Sequence, residues 1–132
     1  MGRKGSQLCP CGSGKDFDAC CGRFIVRGDL PQNAEQLMRS RYSAFALGDL
    51  NWIRLTWARE KCPEDVSFEP TVKWIGLDVK AFHEVDASHA TVEFVARGRN
   101  GASGAFRMHA VSRFEKRDGR WFYVDDEPER KA

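Results

Sequence analysis

Four of the chain's five cysteines lie within its first 21 residues, and this cluster limits how that part of the chain can fold. They are Cys9, Cys11, Cys20 and Cys21, with the spacing C-x-C-x8-C-C. The opening MGRKGSQLCPC contains no apolar run of the kind a secretory signal requires, so we expect a cytoplasmic protein with reduced thiols. Clustered reduced cysteines are typical of a metal site rather than of disulfides.

The residues around the cysteines suit a small metal knuckle. Four thiolates form a closed tetrahedral site, and soft sulfur ligands favour zinc. Gly12 and Gly14 permit the positive φ angles of a tight turn, while Phe17 and Phe24 can cover the metal with apolar surface. The sequence therefore predicts one structural Zn²⁺ with no open catalytic position. An iron–sulfur cluster or a redox thiol is the alternative.

The segment CPCGSGKDFDACCG resembles the SEC-C motif, the zinc-binding element of the SecA tail and of many small bacterial proteins. Both cysteine pairs, the Gly-Ser-Gly-Lys turn and Gly22 match. In SecA the element helps bind the chaperone SecB, so the resemblance implies docking to a protein or ribosome-associated partner. The chain departs from SecA at Cys21, which replaces His, and at Asp16 and Asp18, where SecA-like versions tend to carry Lys.

Two helices are predicted after the knuckle. Asn33, followed three positions later by Gln36, resembles a capping box, and apolar residues then recur at helical spacing up to Gly48. Asp49 can cap a second helix, which we expect to end near Pro63.

From residue 71 onward, apolar and polar residues alternate as in β-strands. The runs cover residues 75–81, 90–97, 106–114 and 120–125. The turns between them are Asp86-Ala87-Ser88, Asn100-Gly101 and Asp118-Gly119. The last two are dipeptides that fit type I′ hairpins, and Ile75 and Leu77 should share one strand face. The pattern predicts an α+β fold in which a curved, cone-like antiparallel sheet packs against the N-terminal helices.

This order of elements and the segment RSRYSAFALGDLNWIRLTW together resemble the YchJ family of bacterial proteins. Further matches are Trp74, Ser112-Arg113-Phe114 and Gly119-Arg120-Trp121. The resemblance implies a SEC-C element in residues 1–30 and a nuclear-transport-factor-two-like domain in residues 31–132. The chain departs from the family at Ala58-Arg59, where His usually follows Thr-Trp, and at Ala110, where we would expect Glu after His109.

A cone-shaped domain can enclose a pocket, and five residues are candidates for its polar or anion-binding groups: Arg41, Tyr42, Asp78, His83 and His109. Arg41 lies on or beside the apolar stripe of the first helix, so it needs either a carboxylate or a bound anion. Asp49, Asp78 and Glu93 are the carboxylates expected to pair with it. The anion alternative predicts a small anionic ligand in the cone.

Catalysis in this pocket is a further alternative, because a lone Asp or His base with a Tyr donor would suit an isomerase or a dehydratase. No spacing singles out a catalytic pair, and we assign no catalytic residue. Cys62 is predicted to be a partly buried, inert thiol.

Composition narrows the partner classes. The chain is 42% hydrophobic and 11% aromatic, which excludes a disordered protein. No apolar run approaches the ~20 residues of a membrane helix, and 21 basic against 19 acidic residues argue against a nucleic-acid or membrane-surface protein. Arginines near Trp121 and Tyr123 could bind nucleic acid, but acidic residues are interleaved with them. The predicted function is therefore a zinc-binding docking protein whose cone has an unknown ligand.

Overall fold

The structure is a computed structural model that describes residues 7–101 and 103–128. The predicted SEC-C element, residues 1–30, and the predicted larger domain, residues 31–132, therefore extend beyond the described residues at 1–6 and 129–132. The helices are a 3-10 turn at Phe17–Ala19, α1 at Gly22–Ile25, α2 at Ala34–Leu47 and α3 at Leu50–Leu55. The strands are β1 at Val72–Asp86, β2 at His89–Asn100, β3 at Gly104–Arg117 and β4 at Arg120–Asp126.

Helix α2 begins and ends where its capping residues predict. The side chain of Asn33 accepts a 2.8 Å hydrogen bond from the backbone N–H of Gln36, which satisfies a donor of the first turn. The side-chain oxygen of Gln36 accepts a hydrogen bond from the N–H of Gln32. In the predicted capping box it would accept from the N–H of Asn33, one residue later. Gly48 ends the helix in the left-handed conformation, with φ of 80°.

Helix α3 ends at Leu55, and the prediction that it would extend toward Pro63 is wrong. The backbone N–H of Tyr123 donates to the carbonyl of Thr56 at 2.8 Å, and the N–H of Ala58 donates to the carbonyl of Tyr123 at 2.7 Å. The chain after α3 is thus held against β4 as a short parallel bridge between Trp57 and Tyr123. Because this backbone pairs with the sheet, it cannot continue the i to i−4 bonding of a helix.

The four strands form one antiparallel sheet in the order β1-β2-β3-β4, as predicted. Asp118 and Gly119 have φ of 51° and 80°, which confirms the type I′ turn between β3 and β4. The two-residue turn predicted at Asn100-Gly101 is wrong, because Asn100 pairs with Gly104 across a three-residue loop. The N–H of Gly101 instead donates to the carbonyl of Thr71, and Gly104 takes the left-handed angle.

Irregularities in β1 curve the sheet around α2. The pairing of β1 with β2 shifts register at three places, and Ile75 is the extra residue at the first of them. Ile75 is therefore 56% exposed, whereas Trp74 and Leu77 face inward, so the prediction that Ile75 and Leu77 share a face is wrong. Along β2 the predicted inner residues Ala90, Val92, Phe94 and Ala96 are all buried. Among the described helices, none combines the length and apolarity needed to cross a membrane.

Candidate metal centre and cavity

The structure brings the four predicted cysteine ligands together. Their sulfur atoms all lie within 4.8 Å of one another, and all four residues are buried. This group can hold a metal ion, because each residue offers one sulfur and a four-sulfur set suits a tetrahedral ion.

Local backbone geometry positions these sulfurs. Gly12 and Gly14 have φ of 80° and 86°, which confirms the tight turn predicted after the first cysteine pair. The N–H of Cys9 donates to the carbonyl of Lys15 and closes this turn at 2.8 Å. Cys20 follows the 3-10 turn, and its neighbour Cys21 is the N-cap residue of α1.

Polar side chains surround the sulfurs with hydrogen-bond donors. The Ser13 hydroxyl lies 3.2 Å from Sγ of Cys20, and the Ser43 hydroxyl lies 3.4 Å from Sγ of Cys9. Arg39 donates from Nη1 to the carbonyl of Cys11 at 2.9 Å and approaches its Sγ at 3.7 Å. These contacts fit a metal–thiolate site, because its sulfurs carry negative charge and accept hydrogen bonds.

The protonation of Cys11 reflects the same contacts. Hydrogen bonds from Cys21 and Cys9, together with smaller contributions from Ser13 and Arg39, lower the pKa of its thiol well below the ordinary value. By contrast, burial raises the pKa of Cys20, and hydrogen bonds with Cys11 and Cys9 raise that of Cys21, so the contacts of the group favour the thiolate form at Cys11.

Arg39 and Ser43 belong to α2, and sequence reasoning missed their role. They stand four residues apart and so share one helix face. That spacing was visible, but their approach to the sulfurs depends on how α2 packs against a knuckle about 30 positions earlier. Nothing local in the sequence specifies that contact.

The knuckle is continuous with the core of the larger domain. The four cysteines share one buried cluster with Leu37 and Met38 of α2 and with Leu77 of β1. A Cβ atom at Gly12 would lie 3.1 Å from the carbonyl oxygen of Leu77, so the turn lies directly against β1. The described structure therefore joins the metal centre and the sheet through one apolar core.

Arg41 is buried, with only 7% of its surface exposed. Its Nη1 donates to the carbonyl of Ile53 at 2.9 Å and to Oγ1 of Thr56 at 2.7 Å. Its guanidinium lies over the rings of Tyr123 and Trp57, at 4.4 and 5.3 Å from their centroids. Burial lowers the pKa of Arg41 to about 10, so the side chain remains charged at neutral pH.

The carboxylates predicted to pair with Arg41 bind other groups. Asp49 caps α3 by accepting from the N–H of Trp52 at 3.0 Å. Asp78 lies 3.5 Å from Nε of Arg97, and Glu93 lies 2.6 Å from Nε2 of His109. Asp78 and Glu93 both lie on the outer face of the sheet, whereas Arg41 approaches its inner face. The predicted ion pair is therefore wrong.

A cavity of about 280 Å³ lies between α2 and the inner face of the sheet. Its polar lining groups are Arg41, Tyr42, Ser112, Tyr123 and Asp126, and the remainder is apolar and mostly aromatic. Burial raises the pKa of Tyr42 and, together with Asp126, that of Tyr123, so both phenols are neutral. Oδ1 of Asp126 accepts from Ser112 at 2.7 Å and from Tyr123 at 3.0 Å.

Two of the five predicted pocket residues, Arg41 and Tyr42, line this cavity. Asp78, His83 and His109 are exposed, and their strand register places them on the outer face, so assigning them to the pocket is wrong. Sequence reasoning missed Trp57 and Asp126. A carboxylate at the end of an aromatic strand was a visible signal, but its inward direction depends on the register shift between Arg113 and Phe114.

The residues of the nucleic-acid alternative are also dispersed. Trp121 is buried in the core, and Tyr123 lines the cavity. Arg113 donates from Nε to Asp125 at 2.7 Å, and Arg117 lies 2.6 Å from Glu60. These two arginines are paired with carboxylates, and the two rings face inward.

Comparison with known proteins identifies both parts of the chain. Residues 6–23 match the SEC-C motif, and residues 33–126 match the family described as YchJ, middle NTF2-like domain. A SEC-C motif containing protein from Rhodopseudomonas palustris, solved in solution, superposes with a TM-score of 0.84 at 37% identity, covering 92% of this chain and 98% of that one. A second such protein, from Psychrobacter arcticus, shares the fold, with a TM-score of 0.73 at 24% identity, covering 96% and 85%.

Relatives align along most of their length. A UPF0225 protein of Cupriavidus metallidurans is 51% identical over 127 residues, covering 92% of this chain and 89% of the relative. A UPF0225 protein of Bordetella pertussis is 48% identical over 122 residues, covering 89% and 90%. Because the NTF2-like match extends from the cap of α2 to the end of β4, the chain belongs to the YchJ family, whose named relatives here are UPF0225 proteins.

Proposed function

We propose that the chain holds one Zn²⁺ as a structural ion, bound by Cys9, Cys11, Cys20 and Cys21. The observation that carries this proposal is the buried group of four sulfurs within 4.8 Å of one another. Soft thiolates select zinc over magnesium or calcium, and four of them leave no coordination position for a substrate. The ion organises the knuckle, which is too short to fold by apolar burial alone.

Metal analysis of the purified full chain tests this proposal. We expect one zinc per chain in the wild type, much less in Cys9→Ser, and an unchanged amount in the matched control Cys62→Ser. Cys62 is a free thiol outside the sulfur group. Iron with a visible charge-transfer spectrum would identify an iron–sulfur cluster instead, and no bound metal would overturn the proposal.

We also propose that the knuckle is a protein-docking element in a cytoplasmic protein. Leu8 and Val26, which flank the knuckle, are 68% and 70% exposed, and such apolar residues support a contact surface. Five free cysteines favour a reducing compartment. Leu8→Ser/Val26→Ser should lose a specific partner while retaining zinc, whereas the control Leu55→Ser, altered at an exposed leucine of α3, should keep that partner. An unchanged partner set would contradict docking.

The cone supports a second candidate function, the binding of a small anion. Arg41 presents a buried positive charge to the cavity, and its hydrogen bonds go to neutral oxygens. An anion could pair directly with the Arg41 guanidinium, with which no carboxylate of the described residues forms an ion pair. The catalytic alternative stays a prediction, and Asp126 is the carboxylate that lines the cavity.

A further inference from the structure

The wall of the cavity is built mainly from rings. Apart from Arg41 and Asp126, its lining is dominated by aromatic side chains. These rings are Tyr42, Phe45, Trp57, Trp74, Phe94, Phe114 and Tyr123. Several stack edge to face, as Tyr42 does on Trp74 with centroids 6.1 Å apart. Such a wall favours a flat apolar body, which can make stacked or edge contacts on several sides.

The cationic group of the cavity is oriented before any ligand binds. Nη1 of Arg41 is held by Ile53 and Thr56, and its guanidinium lies over the Tyr123 ring, 4.4 Å from the ring centroid. Within residues 7–101 and 103–128, no carboxylate forms an ion pair with it. A buried guanidinium fixed in this way matches the geometry of a carboxylate.

An aromatic ring lies beside it. Trp57 lines the cavity, and the Arg41 guanidinium lies 5.3 Å from its ring centroid. A ligand next to Arg41 would therefore also lie close to Trp57, whose indole signal can report on binding there.

Asp126 limits the charge of the ligand. Its carboxylate lines the same cavity and is held by Ser112 and Tyr123. The fixed charges of the lining are therefore one positive and one negative. Because Asp126 repels a monoanion about half as strongly as a dianion at the same distance, a ligand with one negative charge is favoured near Arg41. At about 280 Å³, the volume is near the lower end of ligand pockets, which suits a single ring.

We propose that the cavity binds a planar aromatic monocarboxylate of one ring, with its carboxylate on Arg41 and its ring among the aromatic side chains. This inference rests on the anion-binding function proposed above and names its ligand class. The ligand is bound as a whole, and no bond is made or broken.

Nuclear magnetic resonance titrations of the zinc-loaded full chain test it, with benzoate as the probe. We expect saturable shifts at the Trp57 indole N–H and around Arg41. Benzamide has the same ring without the charge and should bind about 10- to 100-fold more weakly, the range of a charged hydrogen bond. Cyclohexanecarboxylate and acetate test the ring, and inorganic phosphate tests the charge limit. All three should bind more weakly than benzoate.

Two variants locate the binding. Arg41→Gln should weaken benzoate binding at least as much as replacing benzoate by benzamide does. The matched control Arg113→Gln, on the outer face, should bind benzoate as the wild type does. Because Arg41 also holds Ile53 and Thr56 through hydrogen bonds, Ala96→Leu provides a second test that leaves those bonds intact. Ala96 lines the cavity and is buried. The larger side chain takes up part of the cavity and leaves the hydrogen bonds of Arg41 in place, and it should weaken benzoate binding.

The outcomes distinguish this inference from the anion-binding function on which it rests. Equal binding of benzamide would overturn carboxylate recognition, and equal binding of cyclohexanecarboxylate would overturn the aromatic requirement. Acetate or phosphate that binds as tightly as benzoate would overturn the ligand class while retaining an anion site. If no anion shifts these resonances, both proposals for the cavity fail. Benzoate binding that is as tight in Ala96→Leu as in the wild type would place the ligand elsewhere.

Discussion

Arg39 and Arg41 stand two residues apart on α2, and their side chains reach different sites. Positions i and i+2 point to different sides of a helix. Arg39 therefore reaches the sulfur group through Cys11, whereas Arg41 reaches the cavity beneath the sheet. A single helical turn thus supplies both a charge near the proposed metal and a charge near the proposed ligand.

Arg39 should strengthen metal binding without being a ligand. Replacing it in Arg39→Gln removes a positive charge near the thiolates and a hydrogen bond to the Cys11 carbonyl. Loss of such an outer contact typically costs about 10- to 100-fold in metal affinity. Competition with a zinc chelator measures the change. Arg39→Lys, which keeps the charge, should lose less, and Arg113→Gln should lose nothing. Equal affinity in all four proteins would show that Arg39 only supports folding.

His89 and Asp86 form an exposed pair at the turn between β1 and β2, with Nδ1 and Oδ1 2.8 Å apart. Their hydrogen bond raises the pKa of His89 above 6.5 and lowers that of Asp86 below 3.8. The His89 contribution to stability is complete below pH 6.5 and is lost as the pH rises through its folded pKa. The Asp86 contribution is complete above pH 3.8 and is lost as the pH falls. The pair therefore stabilises most between these values.

The variant Asp86→Asn tests this dependence, because the amide keeps an acceptor for the N–H of Ser88 but not the charge. We expect the pKa of His89 to fall toward 6.5 in a titration followed by nuclear magnetic resonance. The stability difference from the wild type should shrink above pH 6.5 and below pH 3.8. A His89 titration that is identical in both proteins would contradict the assignment.

Among the elements, those with local signals could be predicted from sequence. The cap at Asn33, the left-handed stop at Gly48 and the Asp118-Gly119 turn each depend on a few neighbouring residues. The alternation of β2 likewise identified its buried face. The end of α3 and the bulge at Ile75 could not be predicted, because they depend on pairing with strands distant in sequence. The same limit explains why the cysteine ligands were recognisable but the cavity residues mostly were not.

Gly48 should contribute to stability through its backbone angle alone. It ends α2 with φ of 80°, and a Cβ atom there would meet nothing within 4 Å. Gly48→Ala should therefore lower the free energy of unfolding by about 1–2 kcal/mol, the cost of the left-handed conformation for a residue with a side chain. Urea unfolding measures it.

Gly101→Ala is the matched control, because Gly101 has an ordinary φ and its nearest atom to a Cβ would be 3.9 Å away. It should unfold close to the wild-type midpoint. Equal losses in the two variants would mean that contacts, rather than the backbone angle, determine the cost at Gly48.

At the scale of the whole molecule, the proposed metal centre and the larger domain share one core. The buried cluster that includes the cysteines also includes Val92 and Phe114 of the sheet. Removing the metal should therefore disturb more than the knuckle. The uncoordinated thiolates, or the thiols that form when they are protonated, would face the apolar side chains of α2 and β1.

Chelation of the zinc-loaded chain tests this coupling through amide hydrogen exchange. We expect protection to fall in α2 and in the part of β1 near Leu77, as well as in residues 7–28. The Cys62→Ser variant, treated in the same way, should behave like the wild type. Loss of protection confined to residues 7–28 would show that the knuckle and the larger domain open independently.

The close approach of Gly12 to the carbonyl of Leu77 has a consequence for solubility. An open sheet has two outer strands whose free backbone groups can recruit strands from other molecules and start aggregation. At β4 the segment after α3 pairs with part of this edge, and at β1 the cysteine turn lies against the carbonyl of Leu77. If metal loss moves this turn away from β1, more of the strand becomes exposed next to Ile75, which is already exposed. We therefore expect metal depletion to increase self-association. Light scattering that rises with protein concentration would detect it.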